Sequence, residues 1–280
     1  MMTNLLQLLK LIRFPNLAII AITQFMVALF LVKPVSIQAL VLDVPFLILI
    51  ISTLLIASAG YLINDYYDIK IDYVNKPARV VIGKHIKRRQ VLIIHSIFNF
   101  TGIVLGGFVS WWILGVNMLA AFLLWLYSNQ LKRLPLWGNL TVSFLTGLSV
   151  FVVYLHYYTN LESILMYAIF AFFISLIREI IKDLEDMEGD EKFGCKTLPI
   201  AIGVSNTKKT IYGVISFFIA VVIFITNQWH LFIPFLITLL LILGFLCIKL
   251  FYADKKQDYA KLSTVAKAIM VIGIASMILI

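Results

Sequence analysis

Residues 44–72 read VPFLILIISTLLIASAGYLINDYYDIKID, and the change of character at Asn64 decides the fold. From Val44 to Ile63 the side chains are apolar or small, and such a run covers ~30 Å of hydrocarbon at ~1.5 Å per residue. A helix is the single-segment solution there, because it satisfies its own backbone where no water is present. From Asn64 onward three aspartates and a lysine crowd into nine residues, which belong in water.

Working outward, the same alternation recurs along the chain. Apolar runs stand near 15–33, 44–64, 90–110, 112–128, 138–158, 163–181, 210–227, 230–251 and 262–280. The expectation is an all-α membrane protein of nine transmembrane helices in one domain, 1–280. Two polar connections, about 65–89 and 182–209, are too charged to enter lipid and too long to be plain turns. The composition agrees: 62% of the 280 residues are hydrophobic, against ~45–50% in soluble domains, and mean hydropathy is +1.00. The first run lacks a small-residue cleavage site at Val32, Lys33 and Pro34, so it reads as a span and not as a removed signal.

The net charge of +9 does not argue for nucleic acid, because its placement matters more than its sum. With nine spans and the N-terminus inside, only Lys33 of the 23 basic residues falls at an outer end. The positive-inside rule then predicts N-in, C-out, with both polar connections capping the cytoplasmic side of a cell membrane. Lys87, Arg88 and Arg89 also suit anionic lipid headgroups. Cys195 and Cys247 stand in different segments, and the four histidines show no metal-ligand spacing.

Ten of the fourteen acidic residues fall in two places. Asp65, Asp68 and Asp72 follow D-x-x-D-x-x-x-D; so do Asp183, Asp186 and Asp190, 118 residues later, with Glu179, Glu185, Glu188 and Glu191 beside them. On a helix these spacings make one-sided stripes, Asn64 joining the first. Four spans separate them, so both are expected on the same membrane face, as in a parallel internal repeat. Rows of like charge at a membrane surface demand a cation. Oxygen-only donors suit Mg²⁺, which completes its shell with substrate phosphates. Two facing rows therefore predict a two-metal clamp for a diphosphate. The plainer alternative is solvated loop charges paired with nearby lysines, which matched spacing in two places disfavours.

NDYYDIKID followed by Arg79 and Gly83, and DLEDMEGD followed by Gly194, Lys196 and Thr197, resemble the paired aspartate motifs of UbiA-type intramembrane prenyltransferases. The resemblance covers essentially the whole chain. It departs after the first motif, where that family often reads N-R-P-x-R-P and this chain has Asn75-Lys76-Pro77-Ala78-Arg79-Val80. REIIKDLEDMEGDEKFGCKTLPI is most similar to the ether-lipid branch, the geranylgeranylglycerol-phosphate geranylgeranyltransferases.

The resemblance implies helices around a central cavity and transfer of a polyprenyl group from its diphosphate to a lipophilic acceptor. It implies that Asn64, Asp68 and Asp72 bind one Mg²⁺ and Asp186 and Asp190 the other, with Asp65 and Asp183 in support. Arg13, Asn16, Arg79, Lys84, Tyr127, Ser128, Lys132, Arg178, Lys182 and Lys196 are the expected contacts to diphosphate or acceptor. Each also has a plainer reading: Arg13 and Asn16 as a helix start around Pro15, Tyr127 to Lys132 as an interfacial flank, Arg178 as an internal ion pair. Asp65, Asp68, Asp186 and Arg79 are the expected catalytic groups, with Asp65 a candidate for the acceptor's proton. Tyr61, Tyr127 or Tyr154 could steady an allylic cation. Gly102 and Gly106 predict close helix packing. Prenylation of an aromatic acceptor (a quinone precursor, chlorophyllide or haem) is the alternative within the same chemistry. A phosphatidyltransferase lacks its D-G-x-x-A-R start here, and a cation transporter would place acids nearer the bilayer midplane.

Overall fold

A computed structural model describes residues 2–32, 36–229 and 233–279. The described chain is helical, with one isolated bridge between Ile82 and Ile86. Its helices are α1 (Met2–Leu11), α2 (Phe14–Met26), α3 (Ile37–Leu42), α4 (Val44–Asn75), α5 (Arg88–Val109), α6 (Trp111–Asn129), α7 (Trp137–Phe151), α8 (Tyr154–Tyr157), α9 (Leu161–Lys192), α10 (Leu198–Ile202), α11 (Val204–Trp229), α12 (Ile233–Phe251) and α13 (Lys256–Ser276). Eight stretches among the described residues are long and apolar enough to cross a membrane. The run at 230–251 is represented by α12, of which Ile237–Phe251 forms a shorter apolar helix. The protein is a multi-pass membrane protein. Lys33, the expected lone basic residue on the outer side, lies outside the described residues.

The spans holding the acidic rows extend further than hydropathy suggested. α4 and α9 are each 32 residues, roughly 48 Å at 1.5 Å per residue against ~30 Å of hydrocarbon. Both helices carry their aspartates in the C-terminal excess. The polar connections therefore shrink to 76–87 and 193–197, because residues 65–75 and 182–192 remain helical. Falling hydropathy does not end a helix; a backbone breaker does. After Asn64 the first breaker is Pro77, and α4 stops at Asn75, with Lys76 donating its N–H to the Asp72 carbonyl at 2.8 Å. α9 stops just before Gly194, whose φ of +73° suits glycine alone at low cost.

The first connection is also less polar than its charges imply. Val80, Val81, Ile82 and Ile86 are buried, and Val81, Ile82 and Ile86 pack with Leu11 and Leu62. That apolar patch fastens the connection to α1 and α4, and Lys10 Nζ adds a bond to the Ala78 carbonyl at 2.9 Å.

The chain divides into two compact units, residues 1–132 with 152–159 and residues 133–151 with 160–280, so each unit holds one acidic row. In the first, a Cβ at Gly102 would stand 2.9 Å from Ile56 and one at Gly106 2.4 Å from Asn117 Nδ2. Both glycines thus serve close packing, and Asn117 Nδ2 donates to the Gly102 carbonyl at 3.0 Å. In the second, α9 is the core helix, with 72% of its apolar window buried, against 17% for α5 and α6 in the first unit. A Cβ on Gly147 of α7 would stand 2.9 Å from the Ala168 carbonyl of α9. Phe100, Phe108, Trp111 and Trp112 on α5 and α6 are exposed, as lipid-facing residues should be.

Candidate active site

At about 100° per residue, Asn64, Asp65, Asp68 and Asp72 of α4 occupy roughly 100° of arc. Their half-buried side chains meet cations delivered from elsewhere in the first unit. Arg13 is the N-cap residue of α2, in a left-handed conformation (φ 54°) that lets the chain turn from α1 into α2. Its Nη2 donates to Asp65 Oδ1 at 2.8 Å while its guanidinium lies 4.9 Å from the Tyr61 ring. Burial opposes the Arg13 charge, but Asp65, Tyr61 and Asp72 more than offset it, and the guanidinium pKa is raised. Lys132, in the turn after α6, donates to Asp68, with only 9% of its side chain exposed. Asp65 and Asp72 border a small crevice with Leu11, Ile69 and Val80–Ile82.

On α9, Glu179, Asp183, Asp186 and Asp190 fall within roughly 60° of arc. Asp183 accepts from Asn139 Nδ2 of α7 at 2.9 Å. Glu179 accepts from Arg178 Nη1 at 2.7 Å and from Lys182 Nζ at 2.9 Å. Two residues here were not anticipated from the sequence. Asn139 is buried in an apolar span, and a polar amide in that setting was the available signal. Glu179 was visible only as a flank of the row.

The remaining expected contacts divide. Lys84 is exposed, 3.4 Å from the Pro77 carbonyl and 5.1 Å from the Tyr73 ring. Asn16 sits in the first turn of α2, and Tyr127 ends α6 beside Ser128. Ser128 is buried and donates to the Leu124 carbonyl at 2.8 Å, one turn back, so its hydroxyl proton is already committed. Lys196 is exposed, and its backbone N–H reaches the Arg133 carbonyl at 2.8 Å. Arg79 stands on the turn Pro77–Arg79; its side chain lies outside the described residues.

Whether these residues fit a divalent cation can be judged from the donors. Among the described residues no three Asp, Glu, His or Cys side chains converge on one point. The rows instead offer carboxylates spaced along a helix and one amide, and Asn64 Oδ1 is buried without a hydrogen-bond partner among the described residues. An all-oxygen set of that kind fits Mg²⁺, which takes one or two carboxylates and fills its shell with phosphate oxygens and water.

Comparison with known proteins identifies the fold and the family. The chain is 35% identical over 199 residues to the digeranylgeranylglyceryl phosphate synthase of Methanobrevibacter smithii, covering 68% of this chain and 69% of that one. A solved digeranylgeranylglyceryl phosphate synthase superposes with a TM-score of 0.75 at 25% identity, over 99% of this chain and 98% of that one. A UbiA homologue from Archaeoglobus fulgidus, solved bound to DMAPP and Mg²⁺, superposes with a TM-score of 0.63 at 16% identity, over 98% and 100% of the two chains. The model of the UbiA prenyltransferase family matches residues 20–271, and this chain belongs to that family.

Proposed function

We propose that this prenyltransferase transfers a geranylgeranyl group from its diphosphate to the glycerol hydroxyl of geranylgeranylglyceryl phosphate, in Mg²⁺-dependent fashion. The observation that carries the reading is the 35% identity to a digeranylgeranylglyceryl phosphate synthase, in a chain that keeps both aspartate rows. The binding of DMAPP and Mg²⁺ by the Archaeoglobus homologue supports the same chemistry.

In this reading Asn64, Asp68 and Asp72 would hold one Mg²⁺, and Asp186 and Asp190 the other, with Asp183 in support. Bound there, the metal neutralises diphosphate oxygens and makes the diphosphate a better leaving group. Lys132 and Arg13 are already charge-paired on the α4 row, so an arriving diphosphate meets cations held in position. Arg79, Tyr127, Ser128 and Lys196 are the further candidate contacts to the diphosphate, Lys84 a loosely held one, and Asn16 a contact to diphosphate or acceptor. The bond from C1 to the diphosphate oxygen breaks with its electron pair leaving on oxygen. The glycerol hydroxyl bonds to C1 and gives its proton to Asp65. The apolar helices keep water from the allylic centre. The active site faces the cytoplasm of a cell membrane in this reading, as the basic connections favour.

The test is purified protein in lipid vesicles with labelled geranylgeranyl diphosphate and a panel of acceptors. Labelled product is expected with geranylgeranylglyceryl phosphate, with Mg²⁺ present. Product with aromatic acceptors alone would remove the ether-lipid assignment while keeping the prenyltransferase. For orientation, Lys196→Cys should react with an impermeant maleimide only from the cytoplasmic side.

A further inference from the structure

The geometry points to Glu179 as a positioning residue that holds Arg178 and Lys182 as a matched pair for a phosphoryl group. This rests on the proposed function above and goes beyond the aspartate rows. Glu179 sits one turn before Asp183 on the most buried helix of the second unit, and only 9% of its side chain is exposed. A buried carboxylate needs a compensating cation, and this one has two, Arg178 at 2.7 Å and Lys182 at 2.9 Å. Two cations thus share one buried carboxylate at the edge of an acidic row.

The contact with Arg178 is unusual for a helix. Side chains at i and i+1 do not face each other, so Arg178 must bend round the helix surface to reach Glu179. Doing so leaves its Nε buried with no hydrogen-bond partner among the described residues. A buried guanidinium N–H without an acceptor is costly, and a phosphate oxygen is the acceptor that guanidinium geometry fits best. On a helical projection Arg178 and Lys182 lie together on one flank of Glu179, roughly 100° and 60° away. Two cations on one flank, fixed by a shared carboxylate, suit a phosphoryl group. That group belongs either to the prenyl diphosphate or to the phosphate monoester of the acceptor.

The test is Glu179→Gln, which keeps size and hydrogen bonding and removes the charge. A rise in KM of about tenfold for one of the two substrates is expected, with kcat reduced far less and partial recovery in Glu179→Asp. The substrate whose KM rises identifies the phosphoryl source. Lys182→Gln, which leaves Glu179 paired with Arg178, should raise the same KM, and the double variant should be no worse than the poorer single one. Lys182→Gln by itself still decides the matter if Glu179→Gln fails to fold: the same KM must rise with kcat reduced far less. Unchanged KM values for both substrates, or a fall in kcat alone, would overturn the inference. Failure of the wild-type protein to turn over any phosphorylated acceptor would instead sink the proposed function, and the two failures are distinguishable.

Discussion

The aspartate rows of α4 and α9 share one spacing, yet they obtain their counter-charge in opposite ways. Asp65 and Asp68 are met by Arg13 and Lys132, which lie 52 and 64 residues away in sequence. On α9 the cations that meet Glu179 are on the helix itself, one and three residues away, and Asp183 accepts from a neutral amide, Asn139. Asp65 and Asp68 are therefore matched by long-range tertiary contacts, and Glu179, at the edge of the second row, by cations of its own helix. Removing a cation should accordingly disturb the first row by undoing a long-range contact and the second by unbalancing a buried local cluster.

The largest effects should come from the rows themselves, where the comparison predicts equality. Asp68→Ala and Asp186→Ala should each lower transfer by about a thousandfold or more, with membrane insertion and monodispersity retained. A large loss in one and near-normal turnover in the other would break the equivalence of the rows. Chelation with EDTA should abolish transfer in the wild type, with recovery on adding Mg²⁺, measured as labelled product.

Next come the counter-charges. Lys132→Met should cost about ten- to a hundredfold in turnover, because it strips a mostly buried cation from Asp68. Asn139→Leu should cost less, about tenfold at most, since it removes one hydrogen bond from Asp183. If Asn139→Leu proved the more damaging, the amide and not the cation would be the stronger support. Gly147→Val tests packing instead. It should destabilise the second unit by ~1–3 kcal/mol, read as a lower thermal midpoint, because a backbone carbonyl blocks the new side chain. The smallest effect belongs to Lys84→Ala, within about twofold, since an exposed lysine on a carbonyl and a ring is loosely held.

Much of this was legible in the sequence because the relevant signals are local. The apolar run 44–63, the repeated D-x-x-D-x-x-x-D and the Gly102/Gly106 spacing are each read within one helix, where periodicity alone says which residues share a face. Helix ends were harder. Hydropathy placed them at 64 and 181, whereas Pro77 and Gly194 are the breakers that set them near 75 and 192. Val81 and Ile82 were hidden for a similar reason, since a few apolar residues amid lysines do not look like an anchor until Leu11 and Leu62 come beside them.

The sequence by itself determined that this chain crosses a membrane repeatedly and carries two acidic rows of one design. Length, apolarity and helical spacing are properties of neighbouring residues, and the bilayer enforces them. Only the tertiary structure decided that Arg13 reaches Asp65, that Lys132 reaches Asp68 and that Asn139 reaches Asp183. Those partners lie 44 to 64 residues apart, and helix packing brings them together in ways that no local period encodes.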